Sequence, residues 1–143
     1  MKVTKEDVRK LIVEKVKLVI DTSFTGLRVC WPGFSPVDVS EDKSPYVNLR
    51  ILYVDAESVG IGPDTDDRNY GVIQLECCYK EGDTTGMVTI NNFIDAVAKE
   101  LSDTDDMFPV RTYTSRPVTP PSGPQAGWCE EGLSTPFWYD SSK

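Results

Sequence analysis

The chain of 143 residues contains no histidine. That absence removes the imidazole base on which serine and cysteine triads depend, and with it the commonest general acid–base side chain. It also leaves any zinc site to cysteine alone, and Cys30, Cys77, Cys78 and Cys129 show no CxxC spacing. Adjacent residues of a strand point to opposite faces, so Cys77 and Cys78 cannot serve one site together. The expectation is four free thiols, the ordinary state in a reducing compartment. No apolar window approaches the length of a membrane span. The opening MKVTKEDVRK lacks the apolar core of a signal peptide, which points to a cytoplasmic origin.

A phosphate-binding loop is also missing, although its outline is there. The stretch NYGVIQLECCYKEGDTTG, from Asn69 to Gly86, reads as a strand entering a glycine-bearing loop before a helix. A P-loop needs a lysine and a hydroxyl just after its last glycine, and those positions hold Met87 and Val88. Asp83 would also repel a phosphate from the loop amides. The loop therefore reads as a strand-to-helix turn, with Thr84 or Thr85 as the helix cap. Paired carboxylates occur twice as DTDD, at Asp64 to Asp67 and Asp103 to Asp106. Neither run has aromatics nearby to form a sugar platform, and the first lacks the spacing of a calcium loop. Both read as solvated loops, and nothing in the sequence requires a cofactor or a metal.

The net charge is −8, distributed as +3 over the first twenty residues and −11 over the remainder. Such an acidic body is not built to grip DNA, because that affinity comes from clustered basic residues neutralising phosphates. The apolar fraction of 39% is low enough that part of the apolar surface is expected to be buried against copies of the same chain.

Periodicity organises the rest. TKEDVRKLIVEKVKLVI opens with Thr4 and Asp7 in a near capping box and repeats Val8, Leu11, Ile12, Val16 and Val19 at helical spacing. LRVCW is a short strand stopped by Pro32 and Gly33, and GFSPVDVSEDKSP is a surface crossing. YVNLRILYVDA alternates Val47, Leu49, Ile51 and Tyr53 against Asn48, Arg50 and Leu52. YGVIQLECCYK alternates Ile73, Leu75, Cys77 and Tyr79 against Val72, Gln74, Glu76 and Cys78. Between them, residues 55–67 read as a long acidic loop. MVTINNFIDAVAKELSD is a core helix carrying Met87, Ile90, Phe93, Ile94, Val97 and Leu101. The last third offers strands near Val110 to Thr114 and Trp128 to Tyr139, separated by a proline-rich hinge. Residues 140–143 read as a loose tail. One α+β domain over residues 1–143 follows, with a mainly antiparallel sheet of four to five strands and two helices packed on one face. Trp31, Trp128 and Trp138 each sit beside a turn or strand end, where core packing or subunit contact is expected.

The pieces WPGFSP, PYVNLRILY, RNYGVIQLECCY, GDTTGMVTINNFIDAVAKEL and GWCEEGLSTPFWYD occur in the order found in the tail terminator family of long-tailed, non-contractile bacteriophages. The resemblance runs from Val8 to Tyr139 and is carried by Trp31 and Pro32, Tyr46, the run Arg68, Tyr70, Gly71 and Gln74, and Gly127 with Trp128. No motif is specific alone, and the proline-rich stretch from Pro109 to Gln125 departs from the pattern. The resemblance implies a non-enzymatic virion protein, assembled in the host cytoplasm and resident at the head-proximal end of the tail. It implies a homo-hexameric ring that caps the tail tube protein, ends tube polymerisation and meets the head-tail connector protein. DNA would pass through without sequence-specific binding. Subunit or tube contacts are expected at Trp31, Tyr70, Gln74 and Trp128. Asp64, Asp66 and Asp67 are expected to face the channel or the tube. A connector protein of related fold is the neighbouring reading. A small acidic ligand-binding domain or enzyme is the reading from another class.

Overall fold

Thr4 starts the first helix by closing a reciprocal cap: its hydroxyl accepts from the Asp7 amide at 3.2 Å, and the Asp7 carboxylate accepts from the Thr4 amide at 2.9 Å. Helix α1 (Lys5–Ser23) buries Val8, Ile12, Val16, Val19 and Ile20 on one side. The computed structural model describes residues 3–58, 67–118 and 126–141. After α1 come β1 (Arg28–Cys30), β2 (Tyr46–Ser58), β3 (Asp67–Lys80), α2 (Thr84–Leu101), β4 (Arg111–Thr112), β5 (Arg116–Val118) and β6 (Trp128–Ser141). No described helix is long and apolar enough to cross a membrane.

The second helix is capped one residue before the expected threonines. Asp83 is the N-cap, its carboxylate accepting from the Gly86 amide at 2.9 Å. A carboxylate is at least as good a cap acceptor as a hydroxyl and also favours the positive end of the helix dipole. The residue that argues against a bound phosphate therefore occupies the amides a phosphate would need.

The sheet order is β1-β2-β3-β6-β4, with β5 beside β6; β1 and β2 run parallel and every other pair is antiparallel. The fold is thus α+β with a mostly antiparallel sheet of six strands. The strand beyond the expected range is Arg116–Val118, inside the stretch that proline content marked as a hinge. Pro117 is tolerated there because β5 pairs on one side only and need not donate outward. β2 and β3 also run further than their sequence patterns indicate. Ser58 pairs with Asp67, so both ends of the expected 55–67 loop are ladder, and residues 59–66 lie outside the described residues. Local composition marks turn-forming residues but not the cross-strand partners that prolong a ladder.

Register explains where the core sits. Val47 faces Cys77, Leu49 faces Leu75 and Ile51 faces Ile73, while Leu75 and Ile73 also face Leu133 and Thr135 of β6. These side chains meet Ile12 and Val16 of α1 and Ile90, Phe93 and Val97 of α2 in one buried cluster. Both helices therefore cover one face of the sheet. Gly71 opposes Phe137, and a Cβ on Gly71 would stand 2.3 Å from the Phe137 ring, so the missing side chain makes the room the ring fills.

A second, small cluster forms on the other face at one end of the strands. Tyr46, Cys78 and Trp128 pack together under Val37 and Val39, with the Tyr46 and Trp128 rings edge-on at 5.2 Å. Arg28 anchors this cover. Its guanidinium donates to the carbonyls of Asp38, Asp42 and Ser44 and lies 5.8 Å from the centre of the Tyr46 ring. A crossing with little apolar content is thus fixed by backbone hydrogen bonds to one charged group.

The adjacent cysteines are divided between the two clusters, Cys77 in the first and Cys78 in the second. All four thiols are free. Burial raises Cys77 well above an ordinary thiol and pushes Cys78 up to about 11. In the unfolded chain these thiols ionise near pH 8.5, whereas in the folded chain they hold their protons. Stability is therefore complete below about pH 8.5 and falls as pH rises toward 11, by up to about 1.4 kcal/mol per pH unit for each thiol. Denaturant unfolding at a series of pH values between 8 and 10.5 should show that slope, and Cys77→Val should roughly halve it. An unchanged unfolding midpoint across the series would contradict the assignment.

Candidate functional site: the open face of the sheet

Alternation in β2 and β3 sends every second residue away from the helices, and beyond the Tyr46 cluster no described element covers them. Three aligned positions form an apolar row across the strands: Leu52 on β2 opposes Val72 on β3, which opposes Pro136 on β6. Leu52 is 46% exposed, far more than the fully buried Leu49 three residues earlier on the core side. In the next row Tyr70 opposes Trp138, and the chain bulges on β2 between Tyr53 and Ala56, beside the 57%-exposed Val54. On the other side of the apolar row, Arg50, Gln74 and Ser134 align, and Arg50 pairs with Glu76 at 3.5 Å. The face is therefore apolar in the middle and polar toward the buried end.

Its outer rim is basic. Arg111 on β4 opposes Trp138, and Arg116 on β5 opposes Ser134. Two guanidinium groups approach the Trp138 ring, Arg68 at 4.0 Å and Arg111 at 5.3 Å from its centre. Arg68 is further held by a two-pronged pair with Asp140 at 2.9 and 3.0 Å, which raises the pKa of its guanidinium. Arg111 and Arg116 make no ion pair among the described residues. Toward the buried end the face is acidic instead. Burial raises the Glu130 carboxyl above its ordinary value, and the neighbouring Glu76 adds to the shift.

Beside the face, the turn that follows β1 flanks the outer edge of β2. Trp31, Pro32, Phe34 and Pro36 line an open groove of about 440 Å³ against Arg50, Ile51 and Leu52. β1 pairs only with Tyr46, Val47 and Asn48, so the backbone edge of β2 beyond Asn48 has no described partner. Phe34, 69% exposed, overhangs this groove.

The site residues expected from sequence divide between exposed and interior positions. Tyr70 and Gln74 lie on the open face. Trp31 is half-buried against the helix-side core, and Trp128 is only 8% exposed beneath Val37 and Val39. Within the chain Trp128 packs beneath the crossing that Arg28 holds. Asp67 is the first residue of β3, and Asp64 and Asp66 lie outside the described residues. Trp138 was marked for packing or subunit contact, whereas Leu52, Val72, Pro136, Arg111 and Arg116 were not singled out by sequence reading. Their one signal was present in the alternation, where Leu52 and Val72 are apolar residues on the side otherwise set by Asn48, Arg50, Gln74 and Glu76.

Among the described residues no group of three or more cysteines and carboxylates is arranged to hold a metal ion. Comparison with protein-family models finds no match for the chain, and comparison with curated proteins finds none.

Proposed function

We propose that this chain is a virion structural protein of the tail terminator type, which closes into a six-membered ring on the finished tail tube. The ring stops further addition of tube protein and presents a surface to the head-tail connector. The open face of the sheet carries this reading: Leu52, Val72, Pro136 and Trp138 form an apolar strip with a charged border. A stable fold gains nothing from leaving such a strip in water, whereas a subunit contact requires it. The order of sequence motifs and the length of the chain support the same class. In this reading Asp64, Asp66 and Asp67 provide acid where DNA passes or where a basic tube rim docks, because an acid-lined channel does not hold DNA.

Native mass measurement with negative-stain imaging of the purified chain, alone and with polymerising tube protein, tests this reading. The expected results are a mass of six chains, rings with a central channel, and tubes that stop growing once the chain is added. A species that stays monomeric or strictly dimeric under all these conditions would overturn the reading.

A further inference from the structure

The open sheet face has a counterpart on the far side of the molecule, and we propose that the two meet between copies: the outward stripe of α1 in one copy lies across the open sheet face of the next. The proposal rests on the ring reading above and names the two surfaces that form the ring contact.

The inward side of α1 is fixed by Val8, Ile12, Val16, Val19 and Ile20. At 3.6 residues per turn, Glu14, Leu18 and Asp21 therefore point outward. Leu18 is 59% exposed, an unusual degree for a leucine in a helix whose other apolar residues turn inward. Glu14 and Asp21 are exposed and make no ion pair among the described residues. One leucine between two unpaired carboxylates thus stands on α1, and an apolar row between two unpaired arginines stands on the sheet.

The spacings agree. Glu14 and Asp21 are two turns apart, about 10 Å along the axis. Arg111 and Arg116 are held opposite Trp138 and Ser134 of β6, which are about 14 Å apart along the strand. Flexible arginine side chains close the difference. Pro136 lies midway between Trp138 and Ser134, so the near end of the row of Leu52, Val72 and Pro136 is level with the midpoint between the arginines, as Leu18 lies between the acids along the helix. Round the helix, Lys10 and Lys17 flank the acids on the side away from Leu18. The turn before β4 adds nothing to this face, because its Asp106 pairs with Lys15 of α1 at 3.7 Å on the helix side. The two exposed acids of α1 thus have two exposed arginines as counterparts on the sheet.

The contact is heterologous: each copy gives its helix to one neighbour and its sheet to the other. Repetition of such a contact about an axis produces a closed ring or an open filament, never an isolated pair.

Charge exchange between the surfaces decides the matter. The double variants Glu14→Lys with Asp21→Lys and Arg111→Glu with Arg116→Glu should each retain the circular dichroism of the parent and run as single chains. Mixed in equal amounts they should rebuild rings, because every helix then faces a sheet of opposite sign, and copies of the two kinds alternate. Leu18→Asp, a change at a solvent-facing position, should weaken assembly at least tenfold without lowering the melting temperature. Rings that persist in both double variants, or a mixture that fails to restore them, would overturn this contact. The ring reading would then stand, with the open face free for tube protein. A parent chain that never forms rings would instead refute the ring reading itself.

Discussion

Leu52→Asp and Val72→Asp should each convert the assembled protein to single chains under conditions in which the parent is fully assembled, with a melting curve close to that of the parent. Leu52 is 46% exposed and Val72 half-buried in the isolated chain, so a carboxylate at either position remains hydrated and the fold loses little, within about 1 kcal/mol. In the proposed assembly the same position is the middle of a contact, where an unpaired charge must give up its water. The loss should be at least a hundredfold in assembly, roughly the 3 kcal/mol expected for removing a central contact residue. Native mass measurement across a concentration series reads it. The paired control is Leu49→Asp, on the buried side of the same strand, which should abolish folding instead. Full assembly of Leu52→Asp at parental concentration would exclude this face as the contact.

Gly71→Ala should be among the most damaging single-methyl changes in the described chain. The added Cβ would stand 2.3 Å from Cζ and 2.5 Å from Cε1 of Phe137, and 2.6 Å from the Leu52 carbonyl oxygen. A ring edge can turn, but Phe137 is fully buried and edge-on to Tyr53 at 6.1 Å, and the carbonyl belongs to the β2–β3 ladder. Overpacking of this kind costs about 3 kcal/mol, or a melting temperature lower by roughly 10 °C for a domain of this size. Phe137→Leu in the Gly71→Ala background should recover part of the loss, because the two positions share one volume and their effects are not additive. A melting temperature within a degree of the parent for Gly71→Ala would show that β3 and β6 do not approach as described.

The elements that own a strong local pattern were legible in the sequence, and those made by pairing were not. α1 follows from Thr4, Asp7 and the Val8, Ile12, Val16, Val19 spacing, and the structure places each of these as the pattern requires. The two-faced reading of β2 and β3 also holds, down to the division of Cys77 from Cys78. β4 and β5, of two and three residues, carry too little sequence to show a period, and they are strands because β6 lies beside them. The cap of α2 was misplaced by one residue because threonine and aspartate compete closely for that role. Of the residues marked in the sequence, Tyr70 and Gln74 lie on the open face, while Trp128 lies beneath the crossing. A tryptophan in sequence carries no sign of which side of a sheet will be covered, and here the cover comes from a proline-containing crossing held by Arg28.

The ladder between β3 and β6 sets a kinetic consequence. Among the described residues it is the longest, pairing Lys80 with Trp128 at one end and Asp67 with Ser141 at the other, so α2, β4 and β5 all intervene in the chain. A ribosome releases β2, β3 and α2 well before β6. During that interval Ile73 and Leu75 belong to a strand whose second neighbour has not yet been made, and its unpaired edge is a template for the same strand in another nascent chain. Loop closure over so long a separation is slow relative to hairpin formation between β2 and β3. The yield of native protein should therefore depend on how quickly the last strand arrives, and synthesis at low temperature, which slows self-association of the waiting hairpin, favours the correct neighbour.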